Sequence, residues 1–215
     1  MDGLNVESPL ANIYDRQTGI KDFKESSAIV IGVGGIGSWI ALDLALLGVG
    51  TLVIIDPDKL ESSNLNRTLF KLDQIGSYKT LAIKDLIAER RPDTIIITIE
   101  DHFQTPILNK YEVDYIFDAT DNLATRQMIK ELGDDFSTSY CKVGYDGFQA
   151  SLSLNEFNSG RWGDEGSYTV VPSFFGTPQI LSAMAVIEML IVDEGNPKTV
   201  NFNVKKLLNK INQQE

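Results

Sequence analysis

The chain has 215 residues, of which 43% are hydrophobic and 23% are charged, and this ordinary globular composition excludes a disordered, collagen-like or disulfide-rich chain. The 30 Asp and Glu residues outnumber the 19 Lys and Arg residues, giving a formal net charge of −11. A field of this sign repels phosphate backbones and anionic lipid, so we expect no nucleic-acid or membrane binding. The chain has one cysteine, Cys141, and no signal peptide in residues 1–13, so we expect a cytoplasmic protein.

Short apolar runs that are rich in β-branched residues predict the buried strands of a parallel sheet. They are AIVIGV at 28–33, TLVII at 51–55 and TIIITI at 94–99. Helical spacing of apolar residues predicts helices over 36–47 and 80–91, between these strands. A further strand over 115–119 and a helix over 122–132 continue the alternation. The first part of the chain therefore predicts an α/β fold: a Rossmann-like, doubly wound, mostly parallel sheet with helices on both faces.

The pattern changes after about residue 132. Alternating side chains over 139–154 indicate extended, partly antiparallel chain, and a polar, Gly-rich loop is expected over 155–166. Pro178 opens a long apolar helix, predicted to reach about residue 192, and the tail from 201 begins extended and ends helical. These features predict a mixed or antiparallel C-terminal extension of the sheet.

No linker, internal repeat or low-complexity segment divides the sequence. We therefore expect a single domain over 1–215, consistent with the usual domain length of roughly 150 residues. Its parts would be an N-terminal arm at 1–26, a Rossmann-like core at 27–132, and the sheet extension with C-terminal helices at 133–215.

A glycine-rich loop between the first strand and the first helix is the strongest sign of a ligand site. Gly32, Gly34, Gly35 and Gly37 follow the pattern in which a tight turn and a helix N-terminus receive phosphate groups. Asp56 ends the next strand, where a carboxylate accepts hydrogen bonds from ribose hydroxyls. The alternative is that the glycines serve strand–helix packing and Asp56 is a turn residue. The loop predicts nucleotide binding but does not discriminate between NAD and ATP.

Five sequence motifs, in order, carry a resemblance to a known family. They are YDRQ at 14–17, GVGGIG at 32–37, DPDKLESSNLNR at 56–67, IGSYK at 75–79 and DATDN at 118–122. The set resembles the ThiF/MoeB/HesA group, the bacterial relatives of ubiquitin-activating enzymes. The agreement extends over roughly residues 14–126, and residues 144–148 with the C-terminal apolar helix agree more loosely.

The resemblance implies an ATP-dependent adenylyltransferase with magnesium as its metal. Such enzymes couple ATP to a carboxylate, often the C-terminus of a ubiquitin-like or sulfur-carrier protein, giving an acyl-adenylate and pyrophosphate. Because a carboxylate is already an anion, the reaction needs no general base. The obstacle is electrostatic, since two anions must meet, and it calls for fixed cations and a metal.

The resemblance also implies roles for individual residues. Asp56 would hold the ribose, the phosphate contacts would come from Asn64, Arg67 and Lys79, Asp121 would bind magnesium, and Arg16 would reach into the partner subunit's site of a homodimer. Asn66 is also counted among the nucleotide-binding residues. Each assignment has an alternative: Arg67 and Lys79 as solvated surface charges, Asp121 as only a helix N-cap, and Arg16 and Asn66 without a ligand.

The sequence also departs from the family pattern. Thr68 follows Arg67 where many relatives have glutamine, so the contact at this position differs. Many relatives carry two C-x-x-C pairs for structural zinc, whereas this chain has none, so we reject a zinc site. Cys141 is predicted to be a buried residue of an inner strand, which would leave the protein at adenylation or require a thiol from a partner.

Three other functions remain open from the sequence. An NAD-dependent dehydrogenase would use the same glycine loop and acid but would leave Asn64, Arg67 and Lys79 without a role. A catalytically silent relative could act as a scaffold or as half of a heterodimer. Adenylation of a small-molecule or tRNA-borne carboxylate would keep the chemistry and change the substrate.

Overall fold

The computed structural model describes residues 13–131, 138–156, 172–192 and 195–211. Most of the loop predicted over 155–166 therefore lies outside the described residues. Across the described ranges, no helix has both the length and the apolar character needed to cross a bilayer.

The sheet confirms the predicted fold class. Its strands are β1 (Ser27–Ile31), β2 (Thr51–Ile55), β3 (Ile95–Ile99), β4 (Tyr115–Asp118), β5 (Ser139–Asp146), β6 (Gln149–Leu154) and β7 (Lys198–Asn203). They lie in the order β3-β2-β1-β4-β5-β6-β7. The strands β1 to β5 run parallel, and β6 and β7 join antiparallel, which is the predicted C-terminal extension.

Helices cover both faces of this sheet. They are α1 (Gly37–Leu47), α2 (Lys79–Arg90), α3 (Pro106–Lys110), α4 (Leu123–Glu131), α5 (Gly176–Ile187) and α6 (Val204–Ile211). The predicted apolar helix from Pro178 to about residue 192 is α5 followed by a π-helical turn, Glu188–Val192. It begins two residues earlier than predicted, because proline is tolerated in the first turn of a helix. The short helix α3 was not predicted.

The alternation of buried residues along the strands explains why the sequence shows continuous apolar runs. In β1, Ala28 and Val30 pack into the core beneath α1, α2 and α5, whereas Ile29 and Ile31 pack beneath α3 and α4. Cys141 belongs to the first of these cores and is fully buried, as predicted. Because both faces are covered, ligand access is expected at the carboxyl ends of the parallel strands, where the strand order reverses between β1 and β4.

A buried arginine joins the end of α1 to the start of β3. Arg91 is only 2% exposed, and its guanidinium donates hydrogen bonds to the carbonyl oxygens of Ala45 and Leu46 at the end of α1. Nε and Nη2 donate to the two carboxylate oxygens of Asp93 at 2.9 and 2.7 Å. The cation therefore satisfies carbonyl groups that the helix leaves unpaired and opposes its dipole.

Asp43 makes the contact between α1 and α5 sensitive to pH. Burial raises the pKa of its carboxyl above the ordinary value, and the hydrogen bond donated by Ser182 only partly opposes this shift. A raised pKa means that the folded state favours the protonated form of the Asp43 carboxyl. Asp43 therefore stabilises the fold below about pH 4, and this stabilisation is lost as the pH rises through the folded pKa.

We therefore expect Asp43→Asn to raise the melting temperature at pH 7 by about 2–4 °C, the shift that accompanies roughly 1 kcal/mol in a chain of this size. The amide oxygen still accepts the Ser182 hydrogen bond, and no charge is buried. Thermal melts from pH 8 down to pH 4 should show this gain shrinking as the wild-type carboxyl protonates. Asp85→Asn, on the exposed face of α2, is the control. A gain that is the same at every pH contradicts the argument.

Candidate active site

The glycine loop packs tightly against the segment that follows β4. Gly32 has a φ of +82°, and a Cβ atom there would lie 3.0 Å from Thr120 Cγ2 and 3.1 Å from the Ala119 oxygen. A Cβ on Gly37 would lie 1.8 Å from the Gly32 carbonyl oxygen. These two glycines are therefore required for packing, as the alternative interpretation of the motif proposed.

The two middle glycines of the same loop differ in their surroundings, since Gly34 faces open space and Gly35 packs against side chains. A Cβ on Gly34 would meet nothing within 4 Å, and one on Gly35 would approach the Tyr145 hydroxyl and Arg67 Cδ, at 2.8 and 3.5 Å. The backbone N–H groups of Gly34 and Gly35 donate to no residue that the structure describes. Free N–H groups ahead of a helix N-terminus are suited to binding phosphate oxygens.

Asp56 fixes the loop to the end of β2. It is 5% exposed, and its carboxylate accepts hydrogen bonds from the N–H groups of Val33 at 2.6 Å and Asp58 at 2.8 Å. Burial raises the pKa of the Asp56 carboxyl, and the Lys79 ammonium, 3.6 Å away, lowers it by less. A carboxylate has about four acceptor positions, so two bonds to the backbone leave capacity for ribose hydroxyls.

Lys79, the first residue of α2, is not a solvated surface charge. Its side chain is 11% exposed and its Nζ lies 2.7 Å from Asp58 Oδ2. It lines an open groove of about 270 Å³ together with Asp58, Lys59, Glu61 and Asn64. The structure thus places Lys79 between Asp56, 3.6 Å from its Nζ, and Asn64, which lines the same groove.

Arg67 lies beside the glycine loop, and both its guanidinium and its backbone carbonyl group form hydrogen bonds. Its Nη1 donates to the Ser63 carbonyl oxygen at 2.6 Å and to Asn66 Oδ1 at 3.0 Å. The indole Nε1 of Trp39, in the first turn of α1, donates to the Arg67 carbonyl oxygen at 3.0 Å. Sequence analysis gave Trp39 no role, since no local pattern connects it with a residue 28 positions away.

Thr68 turns back onto its own chain. Its hydroxyl donates to the Asn64 carbonyl oxygen at 2.8 Å, while Asn64 Oδ1 accepts the Glu61 N–H at 3.0 Å. Thr68 therefore stabilises the turn that carries Asn64 and Arg67.

Asp121 lies in the loop between β4 and α4. Asn122, rather than Asp121, caps α4, because its Oδ1 accepts the N–H of Ala124 at 2.8 Å and of Thr125 at 3.4 Å. The exposed Asp121 carboxylate makes no hydrogen bond or ion pair within the described ranges. Those ranges also contain no cluster of three or more His, Cys, Asp or Glu side chains that could hold a metal. One carboxylate fits Mg²⁺ that takes its other ligands from phosphate and water.

A buried polar cluster supports this loop, and the sequence analysis missed it. Asp118 accepts hydrogen bonds from the N–H of Thr120 at 3.0 Å, from its hydroxyl at 2.7 Å, and from the Tyr140 hydroxyl at 3.1 Å. Nη2 of the buried Arg126 donates to the Thr120 carbonyl oxygen at 2.7 Å. Burial raises the pKa of the Asp118 carboxyl. These contacts hold the backbone next to Asp121 in one conformation.

Arg16 is the predicted site residue that the structure does not bring to the others. Its neighbour Gln17 donates to the Leu47 carbonyl oxygen at 3.1 Å, and the Tyr14 ring lies 4.7 Å from the Arg91 guanidinium. The arm is thus attached at the C-terminal end of α1, whereas the phosphate loop lies at its N-terminal end. An 11-residue helix separates the two by about 16 Å.

The chain is similar to a known protein family and to two named adenylyltransferases. A family model described as the ThiF family matches residues 8–203. The adenylyltransferase and sulfurtransferase MOCS3-2 of Zea mays is 32% identical over 190 residues, covering 78% of this chain and 39% of that protein. The sulfur carrier protein ThiS adenylyltransferase of Escherichia coli is 32% identical over 133 residues, covering 60% of this chain and 53% of that protein.

A solved structure shows a similar fold. E. coli MccB with ATP aligns with a TM-score of 0.69 at 20% identity, over 89% of this chain and 66% of that one. The chain spans about two fifths of the length of the maize relative and about half that of the E. coli adenylyltransferase.

Proposed function

Because the chain belongs to the ThiF family, we propose that it is an ATP-dependent adenylyltransferase that activates a carboxylate as an acyl-adenylate. The supporting observation is that Lys79 and Asn64 line one groove, that Lys79 Nζ lies 3.6 Å from Asp56, and that Arg67 lies beside Gly35 of the glycine loop. Lys59 and Lys79 line this groove together with Asp58 and Glu61. Arg67 and the N–H groups of Gly34 and Gly35, which donate to no described residue, add donors beside it that favour a polyphosphate ligand in a chain of net charge −11. The names of the two curated relatives are consistent with this activity.

The proposed reaction needs positioning and charge neutralisation rather than proton transfer. Asp56 would accept hydrogen bonds from the ribose, and the N–H groups of Gly34 and Gly35 would bind phosphate oxygens. Lys79 would exchange its ion pair with Asp58 for a phosphate oxygen, and Arg67 would offer the phosphates the guanidinium N–H groups that Ser63 and Asn66 do not accept. An acceptor carboxylate oxygen then forms a bond to the α-phosphorus while the bond to the bridging oxygen breaks, and pyrophosphate leaves.

A magnesium ion is part of the proposal. Asp121 would hold it, and when bound it would supply positive charge that offsets the charge on the phosphates. The hydrogen bonds of Asp118 and Arg126 to Thr120 keep the Asp121 backbone in place for this purpose.

The most suitable acceptor is the C-terminus of a ubiquitin-like or sulfur-carrier protein; the name of the E. coli relative gives a sulfur carrier protein as the substrate of that enzyme. We also propose a homodimer, since Arg16 lies at the end of α1 remote from its own phosphate loop and needs a second subunit to act at a site. A single domain over 1–215 and a cytoplasmic location, both expected from the sequence, belong to the same proposal.

The decisive experiment incubates the protein with ATP, Mg²⁺ and small carrier proteins that end in Gly-Gly, followed by mass spectrometry. We expect a mass gain equal to one AMP on the carrier. The matched control is the same carrier with an amidated C-terminus, which has no carboxylate to attack the α-phosphorus and should gain nothing.

Other outcomes would identify the competing functions. No binding of ATP–Mg²⁺ at millimolar concentration would support a catalytically silent relative. A thermal shift with NAD but none with ATP would support a dehydrogenase. Transfer of AMP to a small acid or to tRNA, with no change in any carrier protein, would keep the chemistry and replace the acceptor.

A further inference from the structure

The segment that leads into α5 is attached next to the phosphate loop. The hydroxyls of Ser173 and Tyr145 form a hydrogen bond, and the Tyr145 hydroxyl lies 2.8 Å from the position that a Cβ on Gly35 would take. The Thr177 hydroxyl donates to the Gly147 carbonyl oxygen at 2.7 Å. The start of α5 is thereby fixed to the β5–β6 turn, and Ser173 is fixed beside the glycine loop.

The Asn66 side chain connects this segment to Arg67. Its Nδ2 donates to the Ser173 carbonyl oxygen at 2.7 Å, and its Oδ1 accepts from Arg67 Nη1 at 3.0 Å. Both ends of the amide are therefore bonded to the protein. The bond to Ser173 joins residues 107 positions apart, so it connects two elements that the chain does not connect locally.

The same arginine is also fixed through its backbone. Trp39 donates its indole N–H to the Arg67 carbonyl oxygen, so α1 holds the main chain while Asn66 holds the guanidinium. A guanidinium fixed before the ligand binds loses less freedom when it meets a developing charge.

We propose that Asn66 is a positioning residue that couples Arg67 to the segment entering α5, an inference that rests on the proposed function. Asn66 does not contact the nucleotide itself. It holds the Arg67 guanidinium beside the phosphate loop as long as Ser173 remains on Tyr145. Displacement of this segment therefore loosens one of the two hydrogen bonds of Arg67 Nη1 and leaves the other, to the Ser63 carbonyl oxygen, so the phosphate site depends in part on a segment remote from it in sequence.

Two substitutions separate the contacts of Asn66. Asn66→Ala removes both hydrogen bonds, whereas Asn66→Asp keeps an oxygen for Arg67 and loses the donor to Ser173. We expect each to lower kcat of ATP–pyrophosphate exchange by about tenfold, the effect of one hydrogen bond to a charged group, with KM for ATP changed by less than about threefold. In an Arg67→Ala background neither should have a further effect, since Asn66 acts through Arg67.

Three results would overturn the inference while the wild type remains active. They are losses that add to that of Arg67→Ala, an Asn66→Asp variant equal to wild type, and a raised KM for ATP at unchanged kcat, which would mean a direct nucleotide contact.

Asn203→Asp, whose side-chain oxygen caps α6 by accepting the Lys206 N–H at 3.1 Å, is the control and should be unchanged. If the wild type neither binds ATP by calorimetry nor exchanges pyrophosphate, the proposed function fails and the inference fails with it. Thermal melts verify that every variant is folded.

Discussion

Replacing Arg67 by alanine is expected to reduce acceptor-dependent ATP–pyrophosphate exchange by about 100- to 1,000-fold, and Asp121→Ala should have an effect of the same size. Arg67 lies beside Gly35 of the glycine loop, and Asp121 presents a carboxylate that makes no hydrogen bond or ion pair in the described part of the chain. The first change removes positive charge from the phosphates, and the second removes the proposed metal ligand. Exchange of labelled pyrophosphate into ATP, with a saturating carrier protein, measures both losses.

The two losses should differ in their dependence on magnesium. Raising the Mg²⁺ concentration should recover part of the activity of Asp121→Ala, because a weakened site fills at higher metal concentration, and should do nothing for Arg67→Ala. The matched control is Lys71→Ala, which removes an exposed cation that pairs with Glu89 and does not line the groove. Exchange that survives in both Arg67→Ala and Asp121→Ala would show that the site has been assigned to the wrong residues.

Most of the fold could be predicted because its strands are buried on both faces. The run TLVII gave the bounds of β2 without error, since its four apolar side chains, at 52–55, pack alternately into the two cores. The end of α1 was equally clear, because Gly48 adopts a φ of +103° that favours glycine. The helix α3 has only five residues, Pro106–Lys110, too few for a helical period to be recognised in the sequence.

The sequence predicts candidate site residues only where they belong to a recognised motif. Lys79 lies 3.6 Å from Asp56 and lines a groove with Asn64 because two motifs meet at the end of β2. The residues that support the site lie far apart in the sequence. Trp39, which donates to the Arg67 carbonyl oxygen, is 28 positions from Arg67, and Tyr140, which donates to Asp118, is 22 positions from Asp118. Such contacts depend on how the strands are ordered in the sheet, which single-sequence patterns do not encode.

The position of Arg16, at the end of α1 remote from its own phosphate loop, favours action in the site of a partner subunit. If Arg16 acts in the site of a partner, Arg16→Ala and Asp121→Ala should each be nearly inactive alone and active together. In a heterodimer of the two variants, one site combines an intact Asp121 with the partner's intact Arg16, while the other site lacks both. Heterodimers purified through two different affinity tags should therefore recover about half of the wild-type exchange activity.

The same experiment separates action in trans from action within one chain. If Arg16 served its own subunit, each site of the heterodimer would lack one of the two residues, and the mixed protein would stay inactive. The attachment of the arm favours the first outcome, because Gln17 and Tyr14 bind at the end of α1 opposite the phosphate loop. For Arg16 to reach its own site, the Tyr14–Arg91 contact and the Gln17 hydrogen bond would have to break, and the arm would have to cross the length of α1. A heterodimer of Arg67→Ala with Asp121→Ala is the matched control: both changes lie in the body of the subunit, so each of its sites is defective and no activity should return.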